Sequence, residues 1–120
     1  MKLRRRALLA LLTLTLVTQV PSLSIAQETA NAIEIHAHRF SFTPAEINLK
    51  KGETVTLRLI SDDVPHSLVV PGLKINAAMV KSHPTDITVT PENTGDFKGQ
   101  CGKFCGSGHG SMLFTIHVKD

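Results

Sequence analysis

Two cysteines, a histidine and a methionine fall within twelve residues, Cys101-Gly-Lys-Phe-Cys-Gly-Ser-Gly-His-Gly-Ser-Met112. Cysteine and methionine sulfur are soft donors that favour copper(I) and zinc, and imidazole suits copper, zinc and iron. A thioether is an uncommon partner for zinc. Two thiolates, one imidazole and one thioether together therefore point to copper, and the second thiolate hints at more than one ion. A disulfide between Cys101 and Cys105 is the competing reading, since an exported chain with two cysteines ordinarily suggests one. That bridge would close only a very short loop and add little by chain entropy.

A loop of this kind completes a metal sphere when another element brings a ligand from elsewhere in the chain. His66, in Asp62-Asp63-Val64-Pro65-His66-Ser67, is the candidate, because it follows an alternating strand and a proline turn. His36 and His38 lie two apart on a strand, so they share a face and could form a second, weak metal site. His83 precedes a proline and could rim the loop, and His117 is expected at the surface.

The elements that must position these residues read as strands. Ile33, Ile35 and Ala37 alternate with polar residues, followed by Phe40 and Phe42 and a break at Pro44. Ile47 and Leu49 lead into Lys51-Gly52-Glu53, a turn in which glycine is free to take positive φ. Val55, Leu57 and Leu59 alternate, Leu68 to Val70 is short and apolar, and Ile87 and Val89 alternate with threonines. Met112, Phe114, Ile116 and Val118 alternate to the C-terminal end. About seven short strands separated by turns indicate an all-β sandwich or small barrel. Residues 73–84 read as a long connection with room for one helical turn.

Residues 1–26 read as a cleaved secretory signal: Lys2, Arg4, Arg5 and Arg6, an apolar run to Val17, then Ser24-Ile25-Ala26. The run is short of the roughly 20 residues that span a bilayer. Residues 27–120 would then form one domain in the periplasm or outside the cell. The chain carries 13 Lys and Arg against 10 Asp and Glu, and the signal holds four of the basic residues. The remainder is close to neutral, which gives no basis for nucleic-acid binding.

The segment DDVPHSLVVPGL, followed 35 residues after its histidine by Cys-x3-Cys-x3-His-x2-Met, resembles the copper domain of cytochrome c oxidase subunit II. It is also similar to the corresponding domain of nitrous oxide reductase. The resemblance implies a cupredoxin-like Greek-key β-sandwich with a dinuclear CuA centre of two copper ions. It implies that Cys101 and Cys105 bridge the two coppers and that His66 and His109 each cap one. Met112 and the backbone carbonyl of Lys103 would be the outer ligands. Glycines 102, 106, 108 and 110 would let the backbone wrap closely around the cluster.

Four departures from that family pattern stand out. Lys103 occupies a position where a glutamate is common, and Ala78 one where an aspartate is usual. The chain has no tryptophan or tyrosine, whereas the oxidase domains use an aromatic surface for electron entry. The two anchoring helices of an oxidase subunit are also not expected here. The resemblance implies a single-electron carrier between redox partners such as a cytochrome or a terminal reductase. It is expected to be a monomer without substrate chemistry of its own, docking through Phe104 and the glycine-rich loop. Copper(I) delivery or storage, and a mononuclear blue-copper site, are the alternatives left open.

Overall fold

The structure is a computed structural model and describes residues 32–120. The expected signal at 1–26 lies outside the described residues. Among the described residues, nine strands form two sheets. The first sheet holds β1 (Ala32–His38), β2 (Ser41–Thr43), β4 (Val55–Ser61) and β7 (Thr85–Val89), in the order β2-β1-β4-β7. The second holds β3 (Glu46–Lys50), β5 (His66–Val70), β6 (Ile75–Met79), β8 (Gly95–Cys101) and β9 (Leu113–Lys119), in the order β3-β9-β8-β5-β6. β1 runs parallel to β4 and β3 parallel to β9, because the chain crosses between sheets instead of only turning back on itself.

Alternation decides which side chains meet between the sheets. Ile35 and Ala37 on β1, Leu57 and Leu59 on β4, and Leu68 and Val70 on β5 are fully buried. β9 contributes Phe114, Ile116 and Val118, and Phe114 meets Phe42 edge-on with ring centroids 5.7 Å apart. The expected glycine turn is present, with Gly52 at φ +79°.

Two strands exceed the expected seven. β6 occupies part of the connection expected at 73–84, and the short helical turn lies before it, a 3-10 turn at Pro71–Leu73. The β6 sequence INAAM has weak strand propensity and is held as an edge strand by register with β5, His66 opposite Met79. β8 reads GDFKGQC, with charge and glycine where a strand pattern would show branched residues. Its Gly99 is required by packing: a Cβ there would lie 2.6 Å from Val70 Cγ2.

Candidate metal centre

β5, β8 and β9 bring the ligand-type residues to one end of the sandwich. His66 opens β5, Cys101 closes β8, and Met112 immediately precedes β9. β8 and β9 pair antiparallel, with Gln100 opposite Leu113, so the loop between them begins and ends at neighbouring points. The Cys101 N–H donates to the Met112 carbonyl at 3.1 Å and closes its base. A 3-10 turn at His109–Ser111 forms its far side.

Donor atoms of His66, Cys101 and Cys105 all lie within 4.8 Å of one another. Cys101 Sγ is 3.9 Å from His66 Nδ1, and Cys105 Sγ is 3.7 Å from His109 Nδ1. Two donors bound to one ion at about 2.0–2.3 Å in tetrahedral geometry sit roughly 3.6 Å apart. Each sulfur–imidazole pair is thus spaced to share an ion. The Cys101 thiol donates to the Lys103 carbonyl at 3.1 Å, and the Cys105 thiol to Met112 Sδ at 3.4 Å. All six residues singled out from the sequence therefore converge. His66 and Met112 are fully enclosed, Cys101 and Cys105 are buried, and His109 is half-buried.

Both cysteines are free thiols. Burial pushes the Cys105 thiol up from its ordinary value, and the neighbouring Cys101 adds to the shift. That shift favours the neutral Cys105 thiol, and a bound cation would act in the opposite sense, favouring the thiolate.

Asp63 is a component that the sequence reading did not single out. Its Oδ1 receives the His66 Nε2–H at 2.7 Å, and the Arg39 N–H reaches its Oδ2 at 2.7 Å. Partial burial opposes ionisation of Asp63, but the Arg39 N–H, the His66 ring and the Val64 N–H outweigh it and hold the carboxyl at about 2. An ionised carboxylate only accepts, so the proton on His66 sits at Nε2 and the lone pair at Nδ1 faces Cys101. A carboxylate behind a histidine is the usual means of orienting a metal ligand. Its signal in the sequence was the three-residue spacing from Asp63 to His66.

The loop glycines divide into two groups. A Cβ on Gly108 would lie 2.4 Å from the Phe40 ring and one on Gly106 would lie 2.9 Å from it, while Gly102 is closed in by Val69 Cγ2 at 2.5 Å. A Cβ on Gly110 would meet nothing within 4 Å. Phe104 is 77% exposed and its ring stands 5.7 Å from that of His109.

The other histidines are engaged separately. His36 Nδ1 pairs with Asp62 at 2.9 Å, whereas His38 Nε2 meets Ser41 Oγ at 2.9 Å. His83 is exposed and bonds the Lys81 carbonyl at 3.1 Å. His117 is half-buried, contrary to the exposed position expected, because Asp96 and Glu46 flank its ring.

A two-sheet sandwich that gathers sulfur and imidazole donors at one end defines a metal-binding β-domain of the cupredoxin type. The chain belongs to the cupredoxin-like family, whose model, the cupredoxin-like domain, matches residues 7–113. It is 28% identical over 102 residues to cytochrome c oxidase subunit 2 of Thermus thermophilus, covering 83% of this chain and 76% of that one. It is 39% identical over 70 residues to a probable cytochrome c oxidase subunit 2 of Streptomyces coelicolor, covering 58% of this chain but only 22% of that protein. Among solved structures, the periplasmic domain of cytochrome oxidase subunit II of Bradyrhizobium japonicum superposes with a TM-score of 0.69 at 16% identity. That match covers 74% of this chain and 83% of the other. Auracyanin A, a blue copper protein from Chloroflexus aurantiacus, gives a TM-score of 0.59 at 15% identity, covering 73% and 98%. These structural likenesses establish the fold.

Proposed function

We propose that this chain is an exported copper protein that passes single electrons through a dinuclear centre of the CuA type. One observation carries the reading: two thiols lie together, and each stands beside a different imidazole, His66 by Cys101 and His109 by Cys105. Two ions sharing the thiolates use every donor, whereas a mononuclear blue-copper site of His66, His109, Met112 and one thiolate leaves the second cysteine idle. Membership in the cupredoxin-like family and homology to oxidase subunit II support copper electron transfer.

The donor set fits the group. Cys101 and Cys105 would hold both ions, His66 and His109 one each, with Met112 and the Lys103 carbonyl at the periphery. Bound copper supplies reversible one-electron storage. The chain's own residues do the rest. Asp63 fixes the His66 ring, the rigid strands fix the ends of the loop, and burial excludes water from the sulfurs. Phe104, exposed beside His109, offers an apolar contact through which a redox partner would dock weakly and leave quickly.

Among the described residues no helix is long and apolar enough to cross a membrane. Residues 1–26 are proposed to direct export to the periplasm or beyond, with a cytochrome or a terminal reductase as partner.

Loading the reduced chain with copper, then recording metal content, visible absorption and electron paramagnetic resonance, tests the reading. Two coppers sharing one unpaired electron are expected. A blue single-copper signal replaces the proposal with a mononuclear carrier. A spectroscopically silent protein that holds copper(I) replaces it with copper delivery or storage.

A further inference from the structure

The turn between β1 and β2 carries two residues, Arg39 and Phe40, that lie outside the ligand motif and yet reach both halves of the site. Arg39 is exposed, and its position has no counterpart among the expected ligands. Its backbone N–H donates to Asp63 Oδ2 at 2.7 Å, and its Nε–H donates to the carbonyl of Cys105 at 3.0 Å. Asp63 holds the His66 ring through its other oxygen. A single residue thus joins the histidine of β5 to the cysteine in the middle of the 101–112 loop.

That loop needs such a tie. Its backbone bonds gather at the two ends: Cys101 to Met112 at the base, and Gly106, Gly108 and His109 as acceptors in the 3-10 turn. Cys105 lies between these groups, and the partner of its carbonyl is the Arg39 guanidinium. Next to this bond the Phe40 ring fills the space over Gly106 and Gly108, so the loop is pinned by one hydrogen bond and one packed face. A carbonyl bonded to the arginine is held in one orientation, which restricts the backbone that carries the Cys105 side chain.

We infer that Arg39 is a positioning residue for the metal centre, holding Cys105 in place through its carbonyl before metal arrives. The inference rests on the copper reading above. Side-chain substitutions at 39 test this arm alone, because the N–H that reaches Asp63 belongs to the backbone and stays.

Arg39→Met removes both donor and charge. Arg39→Gln places its amide nitrogen as many bonds from the Cα as the arginine Nε, so it restores the donor without the charge. Copper(I) affinity, measured by competition with a chelator, is expected to fall about 10-fold or more in Arg39→Met, as for other partners that orient a metal ligand. It should return most of the way in Arg39→Gln. In the metal-free chain, amide hydrogen exchange across residues 102–108 should speed up in the methionine variant and not in the glutamine one. Native affinity and native exchange in Arg39→Met would overturn the inference, and so would a glutamine variant as impaired as the methionine one. A native chain that takes up no copper would overturn this inference together with the copper reading. Copper uptake by the native chain, equalled by Arg39→Met together with native exchange, overturns this inference alone.

Discussion

At residue scale, the site separates what a side chain does from what its backbone does. Lys103 contributes its carbonyl, 3.1 Å from Cys101 Sγ, while its own side chain is exposed. Lys103→Glu should therefore leave the copper count unchanged and lower the reduction potential, because an acid in place of a cation disfavours the added electron. Potentiometry on the copper-loaded pair checks this, and equal potentials would refute it. Cys101→Ser removes a donor close to both His66 and Cys105. It should abolish a two-copper signal and leave no more than one copper bound, read by metal analysis and electron paramagnetic resonance. Asp63→Ala frees the His66 ring at Nε2, and a loss of about 10- to 100-fold in copper affinity is expected by chelator competition.

At the scale of elements, the glycines of the loop between β8 and β9 tell its requirements apart. Gly108 has φ −90°, so a side chain there meets no backbone strain; it meets Phe40. Gly108→Ala should cost about 1–3 kcal/mol, the usual range for overpacking. Gly110→Ala, with open space around its Cβ position, should be close to neutral, both variants being read by urea titration. Equal effects at the two positions would show that Phe40 does not limit the loop. The loop is tightest where it passes the β1–β2 turn, which is where Arg39 also grips it.

At the scale of the whole molecule, stability rests on one core between two sheets. Phe114 is 1% exposed and packs across the sandwich against Phe42, so Phe114→Ala should cost about 3–5 kcal/mol and lower the melting temperature accordingly. A second contribution is electrostatic and pH-dependent. His117 on β9 bonds Asp96 on β8 at 2.6 Å and faces Glu46 on β3 at 3.4 Å, linking three strands. The Asp96 bond raises the His117 pKa above its usual value, with Glu46 adding to the rise. The stabilisation is therefore complete below the unfolded histidine value of about 6.5 and is lost as pH climbs through the raised folded value. His36, raised chiefly by its bond to Asp62, acts in the same sense. On the acid side the Asp96 carboxyl is held low by His117, so its share is lost as pH falls through that lowered value. Urea midpoints should decline from mildly acidic to alkaline pH, and His117→Gln should flatten that decline without removing the His36 part. An unchanged slope would refute the assignment.

The candidate site was legible in the sequence because a loop of this kind is local: Cys101, Cys105, His109 and Met112 have a fixed spacing that few other tasks require, and the fold brings them together. His66 was legible through the proline turn before it and the family resemblance. Most strands could be read as well, since alternation directly records which face is buried. Only the tertiary structure decided the rest. β6 and β8 are strands because their neighbours supply hydrogen bonds and register, not because INAAM or GDFKGQC prefer to be extended. Arg39 showed no signal and Phe40 read only as a strand residue, because their partners in the metal loop lie more than 60 residues away and are a backbone carbonyl and glycines. A backbone carbonyl and a missing Cβ leave no distinctive letter for a sequence pattern to match; they acquire meaning when folding brings a guanidinium and a ring against them.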